Sequence, residues 1–173
     1  GWNPAKLNSF IVTEALDATE SLEEYCSRWS DDRPSFRQKL SLLRKVGEIS
    51  KKMHEHGVNH RDFYICHLLL ATRSMLERDG GIDPQIFVID LHRAQVRNDT
   101  PTRWRVKDIG GLLFSALGNG LTRTDLLRFM KIYSGKPLRV TLLEDRTFWE
   151  AVFRRGCKMY LKSDHDLPDW MQR

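Results

Sequence analysis

No apolar run in this 173-residue chain approaches the roughly 20 residues a membrane-spanning helix needs; the longest are pieces such as Ile86-Phe87-Val88-Ile89. There is no basic-then-apolar start of the kind that directs secretion. Cysteine is scarce: Cys26, Cys66 and Cys157 are widely separated and odd in number. That argues against a disulfide framework and for reduced thiols in a reducing compartment. No internal repeat, low-complexity tract or second domain is visible. Cys-x-x-Cys and His-Glu-x-x-His patterns are missing, and His54 and His56 sit two apart near a helix end, on different faces. The histidines therefore do not read as a zinc site. An initiator methionine is missing too; the chain opens Gly1-Trp2-Asn3-Pro4, as a piece of a longer protein would.

What is present is ordinary in bulk and informative in detail. Hydrophobic content of 40% and charged content of 29% fit a globular protein. The length suits one domain or one large lobe of a bigger enzyme. A net charge of +5 and a pI near 9.2 favour an anionic partner, whether nucleotide, phosphorylated sugar, acidic lipid surface or acidic protein.

Along the chain, Ser9-Phe10-Ile11-Val12-Thr13 reads as a strand. Ser21, with Glu24 three residues on, starts a helix that should end near Trp29. Ser30–Pro34 is a loop, and a long helix runs from Ser35. Phe36, Leu40, Leu43, Val46, Ile49 and Met53 recur along it at spacings of three and four, and Gly57 serves as its C′ residue. Leu68–Ala71 and Gln85–Ile89 read as two strands of a hairpin around the turn Glu77–Gly81. Beyond Trp104 the pattern is helical: Lys107–Leu117, Arg123–Tyr133 and Thr147–Leu161, broken at Gly118-Asn119-Gly120 and Ser134–Pro137. The aromatics Phe129, Tyr133, Phe148 and Tyr160 sit at helical spacings and read as core. The expected class is α+β, mostly α-helical, with one small hairpin.

The chemistry-bearing residues lie on either side of that hairpin. His60-Arg61-Asp62 follows the long helix, His67 comes five residues later, and Val88-Ile89-Asp90-Leu91-His92 leaves the second strand. Asp62 and Asp90 are 28 residues apart, yet a hairpin between them would bring them together. One carboxylate to accept a hydroxyl proton and a second to hold Mg²⁺ against nucleotide phosphates is what phosphoryl transfer requires. The plainer reading is that Asp62 forms a local cap or ion pair and Asp90 merely ends a strand.

The order His60-Arg61-Asp62, His67, Asp90 resembles the catalytic loop and metal-binding aspartate of protein kinases. The longer string His60–Leu70, with Ile89–Gln95, resembles more particularly the heptose kinases of the lipopolysaccharide inner core. Arg103-Trp104-Arg105, Lys107-Asp108, Phe114-Ser115-Ala116, Gly120-Leu121-Thr122, Arg128-Phe129 and Ser9–Glu14 extend the likeness from Ser9 to about Leu138. The resemblance implies the C-terminal lobe of a protein-kinase-like fold, with a hinge at about 9–20, a catalytic and metal-binding segment at 58–93 and a helical remainder at 104–162. It implies Asp62 as catalytic base within His60-Arg61-Asp62, Asp90 as the principal Mg²⁺ ligand, and Glu14 and Leu16 at the hinge where backbone meets the adenine of ATP. His67 stands where protein kinases carry asparagine, so metal, phosphate and Asp62 are all open as its partner. Asp108 either bonds to the catalytic-loop backbone, as in kinase-like folds, or is simply an acidic residue favoured at a helix start.

Arg93, Arg97, Arg103, Arg105 and Lys107 face a single acid, Asp99, between positions 93 and 107. With His92, the four arginines are candidates to bind an acidic sugar or a phosphate-bearing substrate, and the alternative is a solvated basic loop. No glycine-rich phosphate loop and no lysine–glutamate pair is present; the expectation is that an N-terminal lobe carrying them precedes Gly1. Asp90-Leu91-His92 in place of Asp-Phe-Gly, with no Ala-Pro-Glu following, disfavours a general protein kinase. The resemblance further implies a lipopolysaccharide core sugar as substrate, an acyl carrier protein as stabilising partner, and a cytoplasmic enzyme peripheral to the inner membrane; nucleic acid is not expected. The rival reading is a non-catalytic, kinase-like basic module that binds an acidic protein or an anionic membrane surface.

Overall fold

A computed structural model describes residues 15–76 and 81–172 of the chain. The expected strand Ser9–Thr13, the hinge residue Glu14 and most of the turn Glu77–Gly81 lie outside the described residues. The elements are β1 (Thr19–Ser21), α1 (Leu22–Ser27), α2 (Phe36–Glu55), β2 (Val58–Asn59), β3 (Leu68–Ala71) and β4 (Ile86–Val88). After them come β5 (Gln95–Val96), α3 (Thr102–Ala116), α4 (Arg123–Ser134), α5 (Leu138–Glu144), α6 (Arg146–Lys162) and α7 (Asp169–Gln172). This is an α+β architecture dominated by helices, as expected. Among the described residues no helix is long and apolar enough to cross a membrane.

Both helix starts signalled by serine are capped. Ser21 accepts from the Glu24 amide while the Glu24 carboxylate accepts from the Ser21 amide, and Ser35 and Gln38 do the same for α2. Gly57 follows α2 with φ +74°, and a Cβ there would sit 1.7 Å from the Arg97 carbonyl oxygen. Only glycine meets both conditions. The buried stripe of α2 is Leu42, Val46, Ser50 and His54, partly off the apolar set expected for it. Phe36 is exposed instead, with the Arg128 guanidinium over its ring at 5.0 Å.

The hairpin is present: Leu68 pairs with Val88 and Leu70 with Ile86, antiparallel. β1 adds a third strand on the other edge, pairing Glu20 with Leu70. Separately, β2 pairs with β5, Val58 opposite Val96 and Asn59 opposite Gln95. Strands of two and three residues carry no readable alternation, which is why these pairings were not expected.

Behind the sheets α3 packs on α6 and α2 on α4. The α3–α6 approach depends on small residues. A Cβ at Gly156 would lie 2.9 Å from Leu113 Cδ2 and 3.2 Å from the Gly110 carbonyl oxygen, and one at Gly110 would lie 2.8 Å from Arg155 Cδ. The core gathers Leu112, Leu113, Phe129, Met130, Trp149 and Val152 from α3, α4 and α6. Tyr133 is buried there and stacks on Phe148.

Two expectations need correction. The helix expected at Lys107–Leu117 starts five residues earlier, at Thr102, directly after Pro101. Its first turns carry Arg103, Arg105 and Lys107, charges that oppose the helix dipole and so read as loop. Leu138–Glu144 is also helical, because Pro137, taken as part of a break, sits at an N-cap where proline's fixed φ fits the helix start.

Candidate active site

Two backbone ladders frame the site. β2 and β5 pair at one end, and the β3–β4 hairpin closes the other, extended by the Ile89 amide donating to the His67 carbonyl (3.0 Å). Between the ladders run 60–67 on one strand side and 89–94 on the other, so Asp62 and Asp90 occupy facing loops.

The loop bearing Asp62 is fixed from behind by a buried carboxylate. Asp108, on α3 and fully buried, accepts the His60 amide at 2.7 Å and the Arg61 amide at 2.8 Å. Of the two readings of Asp108, the structure supports the loop-backbone one: it lies well inside α3, not at its start. The clamp matters because Arg61 has φ +77°, a region costing a bulky residue about 1–3 kcal/mol unless its surroundings enforce it. Asp90, at φ +61°, is in the same region.

Asp108 has a third partner that the sequence reading passed over. His54 Nε2 lies 3.3 Å from its Oδ2, and His54 Nδ1 lies 2.7 Å from the Tyr133 hydroxyl. A carboxylate only accepts, so His54 donates from Nε2 and accepts a hydrogen bond from the Tyr133 hydroxyl at Nδ1. Burial pushes the Tyr133 phenol up to about 12, keeping it a neutral donor, and Arg105 Nε donates to the same oxygen at 2.9 Å. The available signal was the four-residue spacing of Val46, Ser50 and His54 on the buried face of α2.

His60 is also fully buried, and its Nε2 donates to the Ile89 carbonyl at 2.9 Å, tying the Asp62 loop to the residue before Asp90. His67 bridges the two aspartates directly. Its Nδ1 donates to the Asp62 carbonyl at 2.7 Å, and its Nε2 faces Asp90 Oδ2 at 3.4 Å. The His60 and His67 rings stack, 5.8 Å between centroids. His92 Nδ1 sits 2.5 Å from Asp90 Oδ1. That hydrogen bond holds the Asp90 carboxyl below its ordinary range against desolvation, with the His92, His67 and His60 imidazoles adding to the lowering.

The two carboxylates have different surroundings. Asp90 is ringed by imidazoles, whereas Asp62 faces cations: Arg93 Nη1 stands 3.0 Å from both of its oxygens. Asp90 offers the oxygen donor that a hard divalent cation prefers, whereas the Nε2 of His67, facing Asp90 Oδ2, is a nitrogen donor that suits Mg²⁺ less well.

The remaining expected residues scatter. Arg93 is at the site. Arg97 turns inward and bonds to Asn59 Oδ1 and Gln95 Oε1 across the β2–β5 pair. Arg105 points the other way, over the Tyr133 and Phe148 rings. Arg103 lies over Trp104. The arginines expected to line one substrate surface are thus not brought together as a set. Leu16 is exposed, its carbonyl accepting from Thr19 Oγ1.

Comparison with known proteins places these features. The sequence profile of the lipopolysaccharide kinase (Kdo/WaaP) family matches residues 2–133. The lipopolysaccharide core heptose(I) kinase WaaP of Escherichia coli K12 is 49% identical over 142 residues, covering 82% of this chain and 52% of that protein. The Pseudomonas aeruginosa protein of the same name is 46% identical over 160 residues, covering 92% of this chain and 59% of its own. The chain therefore spans about half the length of the curated relatives it matches. A solved structure described as WaaP in complex with acyl carrier protein superposes with a TM-score of 0.80 at 46% identity, over 92% of this chain and 65% of that one. The fold is the kinase-like fold of WaaP, and the chain belongs to the lipopolysaccharide kinase (Kdo/WaaP) family.

Proposed function

We propose that this chain is the catalytic lobe of a kinase that transfers a phosphoryl group from ATP to a heptose hydroxyl of the lipopolysaccharide inner core, with Mg²⁺. The observation carrying this reading is the facing pair Asp62 and Asp90, joined through His67 and fixed by Asp108. Relatives named as heptose(I) kinases supply the substrate.

Asp62 is the base: its carboxylate takes the proton of the attacking sugar hydroxyl, and Arg93, 3.0 Å away, holds it in place. Mg²⁺, when bound, neutralises phosphate charge and orients the nucleotide. Asp90 provides the oxygen donor for it and His67 either a nitrogen donor or the brace that aims Asp90. His60, through its amide and its ring, and the Arg61 amide position the loop, and Leu16 and Glu14 belong to the hinge side. Because Leu91 and His92 stand where Asp-Phe-Gly has its phenylalanine and glycine, the site is assembled without a phenylalanine-driven switch. An acyl carrier protein as partner is supported by the complex in which the superposed WaaP was solved; a cytoplasmic, membrane-peripheral placement is the one a lipid-linked core acceptor calls for.

The test uses the full-length protein that contains this chain, with ATP, Mg²⁺ and lipopolysaccharide core acceptor. Mass spectrometry should find one added phosphate on a heptose, dependent on Mg²⁺. No phosphate transfer to any core sugar would overturn the assignment.

A further inference from the structure

Trp104, in the first turn of α3, has four cations around its indole: Arg61 at 5.1 Å, Arg103 at 5.4 Å, Lys107 at 5.5 Å and Arg97 at 5.7 Å from the ring centroid. Each contact alone is an ordinary cation–π pair. Four together are not, because like charges at this spacing repel and one ring cannot offset them all. Among the described residues none of the four forms an ion pair with a carboxylate. Arg97 is held by neutral amides, and Arg93 has already taken Asp62.

The surrounding atoms are short of partners of the same kind. Arg61 Nε and Trp104 Nε1 are buried donors with no acceptor, so their desolvation goes unoffset until an acceptor arrives. The start of α3, at Pro101, has no side-chain cap, so the positive end of the helix dipole adds to the same field.

The cluster is on the Asp62 side of the site. Lys107 is pushed below its ordinary value first by desolvation and then, against the pull of Asp62, by Arg93, Arg61 and Arg155. Arg61 directly precedes Asp62, and Lys107 directly precedes Asp108, the carboxylate that accepts the Arg61 amide at 2.8 Å, so the group stands beside the base.

We infer that Trp104 with Arg61, Arg97, Arg103 and Lys107 forms an anion subsite for the sugar acceptor, binding a carboxylate or phosphate next to the hydroxyl that Asp62 deprotonates. The inference rests on the kinase reading above. It regroups the expected arginines: Arg97 and Arg103 belong to it with Arg61 and Lys107, while Arg105 serves the Tyr133–His54 chain.

Kinetics of the full-length protein test it, using Arg103→Gln, which alters an exposed side chain, and Lys107→Met. Expected is a rise in KM for the acidic core oligosaccharide of roughly tenfold, the scale of one charge-assisted hydrogen bond, with KM for ATP unchanged. The effect should vanish with carboxyl-reduced acceptor if the anion is a carboxylate, and with phosphatase-treated acceptor if it is a phosphate. Calorimetric binding of the same oligosaccharide, without ATP, should weaken in parallel and reads the subsite independently of turnover. Wild-type turnover with unchanged acceptor KM in both variants overturns the subsite and leaves the kinase reading standing. So does a rise in KM for ATP in place of the acceptor's. Absent turnover sinks the kinase reading, and unaltered oligosaccharide binding in the variants then sinks the subsite as well.

Discussion

Between Val58 and Val96 the described chain makes four short strands and turns, and buried hydrogen bonds place its working side chains. Between Thr102 and Lys162 it makes four helices, placed by apolar packing. The two regions meet at α3, whose apolar face enters the core while Asp108 reaches forward to hold His60 and Arg61. Damage to the first region should therefore appear as lost turnover in a folded protein. Damage to the second should appear as lost stability with turnover per folded molecule kept.

Asp108→Asn sharpens the contrast most. Its amide can accept only one of the two backbone donors well, freeing Arg61 from its enforced left-handed conformation. Turnover should fall on the order of 10²-fold, the scale of small misplacements of a catalytic group, and kinetics of the full-length enzyme would measure it. Met130→Ala, deep in the helical core, should cost about 2–5 kcal/mol in denaturant unfolding while turnover of the folded fraction stays at wild type. Gly156→Ala should cost about 1–3 kcal/mol by forcing α6 away from Leu113 and Gly110. If Met130→Ala abolished turnover in fully folded protein, the division between regions would be wrong.

The smallest effect concerns acid. Asp125 joins α4 to α2: its carboxylate caps α4 through Thr122 and meets Lys39 Nζ at 2.6 Å. Burial pushes its carboxyl up, but the Lys39 and Thr122 hydrogen bonds win and hold it below its ordinary 3.8. A carboxyl depressed in the folded state stabilises above its unfolded value, and that contribution is lost as pH falls through the folded one. Asp125→Asn should thus lower Tm at neutral pH and flatten its decline below about pH 4, as thermal melts across pH would record.

The sequence disclosed most where a residue type has one job. Ser21, Ser35 and Gly57 marked helix ends through capping and backbone chemistry, and the hairpin pattern between Asp62 and Asp90 foretold that the fold would bring them together. It disclosed least where tertiary contact overrode local preference. The start of α3 was hidden by cations that the helix dipole disfavours but Trp104 collects, and β1, β2 and β5 are too short to show a period. His54 was weighed as a metal ligand and set aside; its partner is a carboxylate 54 residues away, which no local pattern indicates. The basic segment 93–107 looked like one surface, and only the fold separates Arg93 at Asp62, Arg97 on the β2–β5 pair and Arg105 behind the loop.

The most direct test of the account is Asp62→Asn in the full-length enzyme. Asparagine keeps the size of the side chain and an oxygen for Arg93, but cannot take a proton. The account predicts a native circular-dichroism spectrum, near-wild-type KM values and turnover reduced by about 10²-fold or more. Turnover within a few-fold of wild type would contradict it.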